Sequence, residues 1–181
     1  MTRNRYKIFE TYYPYLITCT VVNWLPLLKT EFTKQIIIES LKYLQKEKRL
    51  KIFAYTIMHN HLHLIITSEN PAKQVAAFKS FTARKIIDYY KKANDYQTLK
   101  KLEINVTARS AVTRFAIENR RYRFWQSGYC PKQIMSFDIF QQKIDYIHLN
   151  PVRKGYVESL QEWKWSSASP AELIVINQIV D

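Results

Sequence analysis

The sequence has few of the residues that several protein classes require. Its 2 glycines in 181 residues are too few for the glycine-rich loop with which nucleotide-triphosphate enzymes bind phosphates. Its 2 cysteines, Cys19 and Cys130, lack metal-type spacing, so we expect no disulfide framework and a reducing cytoplasm. Its aliphatic runs are shorter than the roughly 20 apolar residues of a membrane helix, and its basic N-terminus lacks the apolar core of a secretory signal. These absences predict a cytoplasmic protein with no membrane partner.

Acidic residues are also scarce relative to basic ones. The chain has 15 Asp and Glu against 28 Lys and Arg, a net charge of +13. Basic side chains that neutralise phosphates release condensed counterions, so this excess predicts a polyanionic partner. Aromatic residues make up 14% of the chain, and exposed rings stack on unpaired bases. The combination favours a single-stranded nucleic acid, although most of these rings would also suit a hydrophobic core.

Hydrophobic periodicity predicts one α+β domain over residues 1–181. The order of elements is strand, helix, strand, strand, helix, followed by a helix that must end at or before Asn150 because Pro151 follows. The predicted strands are 15–22, 51–58 and 61–67. The predicted helices are 31–50, in which Phe32, Ile36, Leu41 and Leu44 recur at helical spacing, 70–92, with Val75, Phe78, Ile86, Ile87 and Tyr90 on its inner side, and 137–150.

Two regions carry weaker patterns. Residues 94–121 are polar and charged, which indicates an insertion, and residues 156–181 form a C-terminal extension. Between them, residues 123–129 predict a short extended piece that ends in a turn at Gly128.

Three of the four histidines lie in the stretch "YTIMHNHLHLIIT". Side chains alternate between the two faces of a strand, so His61 and His63 project from one face while Leu62 points into the core. Two imidazoles on one strand supply half of a site for Mn, Fe, Zn or a related ion. The same spacing suits two ordinary hydrogen-bonded histidines, and a third ligand must come from elsewhere. His59 lies at the hairpin corner, where we expect a turn residue.

The helix at 137–150 carries two stripes. Gln142, Tyr146 and Asn150 form a polar one, so the Tyr146 phenol lies on a polar face from which it and Asn150 can reach one point. An ordinary amphipathic helix with a tyrosine at its border gives the same pattern. His148 falls off this stripe and is not expected to act with Tyr146. The apolar stripe consists of Phe140, Ile144 and Ile147.

Five motifs follow one another between about residues 50 and 169: "HNHLHLII", "FKSFTARKI", "FWQSGY", "YIHLNPVRKGYV" and "WKWSSA". Together they resemble the HUH-superfamily tyrosine transposases, in particular the REP-associated tyrosine transposase-like group, which is related to single-strand insertion-sequence transposases. The histidine pair alone is a weak pattern, but it becomes highly specific when a tyrosine helix ending in "NPVRxG" and then "WSS" follow it. The resemblance implies a ferredoxin-like antiparallel sheet with helices packed on one face.

The resemblance also implies roles for four residues. His61 and His63 become the metal-binding pair, Tyr146 the nucleophile, and Asn150 a further polar metal ligand. The implied cofactor is a divalent ion, Mg²⁺ or Mn²⁺, because imidazole and amide-oxygen ligands suit these ions better than zinc. The implied reaction cleaves and rejoins single-stranded DNA through a covalent 5′-phosphotyrosine and a free 3′-OH. The family usually has proline at the position of His59, which leaves an extra ligand open.

The implied partner is single-stranded DNA with a hairpin or palindrome, bound by a monomer or homodimer. Bases can stack on Trp125 or Tyr129. Two other functions share these features. One is a non-catalytic, domesticated binder of structured DNA or RNA. The other is a replication initiator or relaxase, but the "YIHLNPV" and "WSS" motifs argue against this second alternative. The candidate DNA-binding residues, each of which also suits a solvated basic face or the core, are Lys73, Lys79, Arg84, Lys85, Arg120, Arg121, Arg123, Trp125, Lys143, Arg153 and Lys154.

Overall fold

The computed structural model describes residues 12–104 and 121–178. Within them, four strands form an antiparallel sheet in the order β2-β3-β1-β4, and two long helices complete a βαββαβ sequence of elements. This is the ferredoxin-like α+β fold that the motifs implied. The elements are β1 Tyr15–Thr20, α1 Glu31–Lys46, β2 Lys51–Ile57, β3 His61–Thr67, α2 Pro71–Lys92, α3 Tyr96–Leu102, β4 Lys132–Gln133, α4 Phe137–His148 and α5 Asn150–Arg153, with 3-10 turns at Val22–Trp24 and Leu160–Glu162.

The larger hydrophobic core lies between one face of the sheet and helices α1 and α2. Each helix begins at a polar cap: Thr30 Oγ1 accepts a hydrogen bond from the Thr33 backbone N–H at 3.2 Å, and the Asn70 side chain accepts one from Lys73 at 3.0 Å. All the residues predicted for the inner side of α2 are buried, namely Val75, Phe78, Ile86, Ile87 and Tyr90.

The helical spacing of apolar residues in α1 identified only part of its buried side. Phe32 is 52% exposed and stacks on Tyr89 of α2, with ring centroids 4.4 Å apart. Ile37 and Ile38 fill the core together with Leu41 and Leu44. Ile36 is half-buried at the margin of this core, so the three consecutive isoleucines blur the helical spacing only in the first half of α1.

Helix α4 crosses the opposite face of the sheet over a smaller core. A β-bulge in β2 places Phe53 and Ala54 on the same face. The ring of Phe53 then packs edge-on against Phe140 of α4, with centroids 5.7 Å apart. This contact fixes α4 beside β3, which carries His61 and His63.

The C-terminal segment covers the outer edge of β2. Ser167 donates its backbone N–H to the Tyr55 carbonyl at 3.0 Å and accepts the Tyr55 N–H on Oγ at 2.9 Å. Asn177 makes the same pair of contacts with Ile52, at 2.8 and 2.9 Å. Since an open edge strand offers unpaired backbone groups to other chains, the "WSS" motif and the extension close this side of the sheet.

The structure differs from the predicted elements at β4, at the end of α4 and in the segment after α2. β4 has only two residues, too few for any periodic pattern, and was not predicted. α4 ends before Pro151, as expected, but α5 then adds a helical turn, because proline fits the first turn of a helix. Of the predicted insertion at 94–121, the structure describes α3, whereas residues 105–120, including Arg120, lie outside the described residues.

None of the helices in the described ranges is long and apolar enough to cross a membrane.

Candidate active site

His61 and His63 lie side by side on β3, on the face that α4 crosses. Their exposed fractions are only 8% and 5%. Their Nε2 atoms are 3.1 Å apart, and the ring planes meet at 81°. The alternation of β3 therefore brings the two Nε2 atoms to a common point.

Each imidazole is held through its other nitrogen. His61 Nδ1 donates to Asn60 Oδ1 at 2.6 Å, and His63 Nδ1 lies 2.9 Å from Thr18 Oγ1. Thr18 is the register partner of His63 in the β1–β3 pair. A threonine hydroxyl can donate or accept, so it can satisfy His63 in either neutral tautomer. Fixing Nδ1 in this way orients Nε2, as polar neighbours do for metal-binding histidines.

Burial keeps both imidazoles neutral. It lowers the pKa of His61 from 6.5 to about 4, with a smaller contribution from the positive charge of Lys154. It lowers the pKa of His63 to about 3, helped by His61 and Lys132. Both Nε2 atoms can therefore offer a lone pair to a cation at neutral pH, and neither ring is available as a general acid.

The distance between the two Nε2 atoms suits a hydrogen bond between the rings and is also compatible with a shared divalent ion. Two ligands at right angles, each about 2.1 Å from an octahedral ion, lie about 3.0 Å apart, close to the observed 3.1 Å. Within residues 12–104 and 121–178, no group of three or more His, Cys, Asp or Glu side chains is placed to hold a metal. A metal on this pair would thus need amide, water or substrate oxygens as its remaining ligands.

Tyr146 of α4 lies against the histidine pair. Its ring meets His63 edge-on with centroids 5.6 Å apart, and the Arg153 guanidinium lies 5.8 Å from the Tyr146 centroid. Tyr146 is 41% exposed, so solvent reaches it. Asn150 is buried and donates its Nδ2 to the Tyr146 carbonyl at 2.7 Å, so its Oδ1 is the atom suited to a cation. The structure thus brings Tyr146 of α4 to the histidine pair of β3, and it ties the Asn150 side chain to the Tyr146 backbone.

The end of the "NPVRKG" motif has a structural role. Gly155 adopts a φ of +66°, the left-handed conformation that commonly ends a helix. The chain then reverses, and Tyr156 stacks on His59 with ring centroids 4.1 Å apart. Trp163 packs on the same imidazole at 5.6 Å and donates its indole N–H to the Ile57 carbonyl. His59 is therefore the predicted corner residue of the hairpin, held in an aromatic stack.

His148 serves the C-terminal segment. Its Nε2 lies 2.8 Å from Ser167 Oγ, which also donates to the Tyr55 carbonyl at 3.2 Å. This contact ties α4 to the covered edge of β2 and agrees with the expectation that His148 does not act with Tyr146.

The basic residues predicted to bind DNA fall into two places. Arg153 lies over Tyr146, and Lys154 is close enough to His61 to lower its pKa, so both flank the site. Lys143 is half-buried on α4. The exposed residues of α2, in contrast, belong to the helix that packs on the opposite face of the sheet; they are Lys73, Arg84 and Lys85.

Two other residues predicted to bind DNA form hydrogen bonds or ion pairs within the protein. Lys79 Nζ donates to the carbonyls of Gln126 and Gly128 and so anchors the turn at Gly128. Arg121 pairs with Glu103 at 2.6 Å, while Arg123 is exposed.

Trp125 requires a correction. It is 5% exposed, packs in the larger core, and donates its indole N–H to Thr82 Oγ1 at 3.0 Å. A buried ring cannot stack on a base, so the predicted stacking role of Trp125 was wrong. Tyr129 is half-buried against the same core.

Four residues of the site were not predicted. Thr18 and Lys132 reach it through strand pairing, which depends on a register that the sequence does not state. Trp24 reaches it through the turn after β1, with its ring 5.9 Å from that of His61. Asn60 lies between His59 and His61 in the sequence, and its position in the hairpin turn could have indicated that it contacts a histidine.

Comparisons with known proteins identify the family of the chain. A sequence model of the family described as "Transposase IS200 like" matches residues 11–102, just over half of the chain. The chain belongs to the IS200-like transposase family. The matched region contains β1, α1, β2, β3 and α2, and with them the histidine pair. No curated protein matches the chain significantly.

The fold of this transposase-family protein also resembles solved structures. One is described as a REP-associated tyrosine transposase bound to a REP hairpin; it has a TM-score of 0.59 and 17% sequence identity, over 89% of this chain and 82% of that one. A second, named as a transposase from Deinococcus radiodurans R1, has a TM-score of 0.44 and 14% identity over 81% of this chain and 95% of that one. The first likeness confirms the fold class.

Proposed function

We propose that the protein cleaves and rejoins single-stranded, hairpin-containing DNA through a 5′-phosphotyrosine on Tyr146. The observation that carries this proposal is the position of the Tyr146 ring beside two neutral imidazoles whose Nε2 atoms meet 3.1 Å apart. A nucleophile next to a ready-made cation site is what phosphodiester cleavage requires. The family match supports the same conclusion.

His61, His63 and Asn150 would hold a divalent ion, Mg²⁺ or Mn²⁺, because imidazole and amide oxygen together suit these ions. Bound there, the ion would withdraw charge from the scissile phosphate. Thr18 and Asn60 keep the imidazoles in place. Arg153 and Lys154 add positive charge beside the phosphate.

Tyr146 supplies the covalent step. Its Oη attacks phosphorus, the bond from phosphorus to the 3′ oxygen breaks, and that oxygen takes up a proton. The phenol proton can pass to water, because the side chain is partly exposed. One phosphodiester replaces another, so the 3′-OH can later attack the phosphotyrosine and rejoin strands without ATP.

Structured single-stranded DNA is the proposed partner. The net charge of +13 favours a nucleic acid, and the structural relative with a TM-score of 0.59 is described as bound to a REP hairpin. The histidines and Tyr146 meet within one chain, which supports a site completed in cis.

The test is incubation of wild-type protein with labelled single-stranded hairpin DNA and Mn²⁺, followed by denaturing electrophoresis. We expect a covalent complex that Tyr146→Phe abolishes while hairpin binding stays close to wild type. Tyr129→Phe and Tyr156→Phe serve as matched controls and should keep the complex. Binding without any covalent complex would instead identify a non-catalytic binder, and a complex that survives in Tyr146→Phe would move the nucleophile elsewhere.

The cis arrangement has its own test. A mixture of His63→Ala and Tyr146→Phe proteins should stay inactive, since neither chain has a complete site. Recovery of cleavage in the mixture would show that the site forms between two protomers.

A further inference from the structure

An exposed indole lies at the edge of the candidate active site. Trp24 is 57% exposed, although a tryptophan side chain is usually well covered. Its ring meets His61 edge-on, with centroids 5.9 Å apart and planes at 73°. An uncovered ring beside a proposed phosphate site offers a stacking surface for a base.

The backbone holds Trp24 in an unusual conformation. Asn23 and Trp24 are consecutive residues with φ of +52° and +57°, a left-handed region that costs non-glycine residues of order 1 kcal/mol or more and is concentrated at functional sites. Trp24 donates its backbone N–H to the Val21 carbonyl at 3.1 Å. The turn therefore presents the ring at a fixed place after β1.

Asn60 connects Trp24 to the metal-site imidazole. Its Nδ2 donates to the Trp24 carbonyl at 3.3 Å, while its Oδ1 accepts from His61 Nδ1 at 2.6 Å. One amide thus connects the backbone of Trp24 with the proposed ligand His61.

Four rings make contact in series across the site. Trp24 meets His61 at 5.9 Å, His61 meets His63 at 4.7 Å, and His63 meets Tyr146 at 5.6 Å. The indole therefore contacts one histidine of the pair, His61, and the phenol contacts the other, His63. In phosphoryl transfer the attacking and leaving oxygens are roughly in line across phosphorus. If Tyr146 attacks from the His63 end of the pair, the 3′ oxygen would leave toward the His61 end, which Trp24 contacts.

We infer that Trp24 stacks on the base of the nucleotide whose 3′ oxygen leaves when Tyr146 attacks. This inference rests on the proposed cleavage by Tyr146 and adds the residue that holds the upstream nucleotide. Stacking there keeps the released 3′-OH beside the phosphotyrosine, in position for the rejoining step.

The first experiment measures single-turnover cleavage. Hairpin DNA with randomised single-stranded flanks is incubated with wild-type protein, and the cut position is mapped from the covalently captured strands. On that substrate we expect Trp24→Ala to slow cleavage about 10-fold or more, Trp24→Phe to recover most of the rate, and Tyr43→Ala, which removes an equally exposed ring on α1, to have no effect.

An abasic nucleotide locates the stacking. Removal of the base just upstream of the cut should slow the wild-type protein and have no further effect on Trp24→Ala. Removal of the base just downstream should slow both proteins by the same factor. A Trp24→Ala loss that is independent of the upstream base would overturn the inference.

A binding measurement gives a readout without cleavage. In the Tyr146→Phe background, 2-aminopurine at the upstream position should be quenched on binding, and Trp24→Ala should remove that quenching while leaving the dissociation constant within about 10-fold. Equal quenching with and without the indole contradicts the inference. A wild-type protein that forms no covalent complex overturns the proposed function and this inference with it, whereas a complex formed equally well by Trp24→Ala overturns this inference alone.

Discussion

The two faces of strand β3 have different tasks. Leu62, Leu64 and Ile66 enter the larger core under α1 and α2. His61 and His63, one position away, lie on the face that α4 crosses and are also buried. Burial of polar groups is costly unless they are hydrogen-bonded, so the second face needs partners that the first does not. The stability of the domain therefore depends mainly on one face, and its proposed chemistry depends on the other.

Substitution of a histidine should have the largest effect on the proposed chemistry. We expect His63→Ala to reduce cleavage about 1,000-fold or more, because the phosphate would lose charge stabilisation worth several kcal/mol. When both changes are expressed as free energies, the change in stability should be much smaller than the change in the cleavage barrier. Single-turnover assays with Mn²⁺ and urea unfolding of the same preparation measure both, and unchanged cleavage would remove the metal assignment.

The neighbouring leucine should give the opposite result. Leu64 is 1% exposed in the larger core, so Leu64→Ala should lower the free energy of unfolding by about 2–5 kcal/mol. Cleavage per folded molecule should stay within about 3-fold of wild type at a temperature where the variant is folded. A strong loss of activity in folded Leu64→Ala would show that the two faces are not separable.

Acid should weaken the histidine face selectively. An unfolded histidine has a pKa near 6.5, whereas the folded values are about 4 for His61 and about 3 for His63. The unfolded chain therefore binds more protons, and stability that is complete above about pH 6.5 falls as the pH drops toward the folded values. At pH 4.5 we expect a loss of about 2–3 kcal/mol per histidine.

The matched protein for this measurement is the double variant His61→Gln and His63→Gln. Urea unfolding at pH 7 and pH 4.5 should show a smaller loss of stability in the double variant than in the wild type. The remaining histidines, His59 and His148, also have lowered pKa values and act equally in both proteins. An identical pH dependence would mean that the pair is not buried in its neutral form.

The smallest effect should come from the strand that supports the pair. Thr18→Val keeps the shape of the side chain and removes the hydroxyl 2.9 Å from His63 Nδ1. We expect a 10- to 100-fold weaker affinity for Mn²⁺, because partners of this kind orient the ligand and raise its basicity. Calorimetric titration with Mn²⁺ measures it, and wild-type affinity in Thr18→Val would assign the hydroxyl a role in packing only.

The sequence predicted most of what local patterns can express. The alternation of β3 separated His61 and His63 from the leucines, and the spacing on α4 placed Tyr146 away from the apolar stripe. Thr18 was not found because its role depends on the register between β1 and β3, a pairing of residues 45 positions apart. Trp125 was misplaced because composition cannot distinguish an exposed ring from one in a core.

Trp24 and β4 were missed for a different reason. The positive φ of Asn23 and Trp24 opposes the preference of non-glycine residues, so no local rule predicts the turn that brings the indole to His61. β4 is a strand only through its pairing with β1. Both features arise from the folded chain as a whole.

Mass spectrometry of the covalent protein–DNA complex tests directly whether Tyr146 is the nucleophile. Trypsin cleavage after Lys143 and Arg153 leaves a peptide of residues 144–153 that contains Tyr146 as its one tyrosine. We predict that this peptide carries the DNA through a 5′-phosphate and that the released strand ends in a free 3′-OH. DNA on any other peptide, or a 3′-phosphate link, would contradict the account.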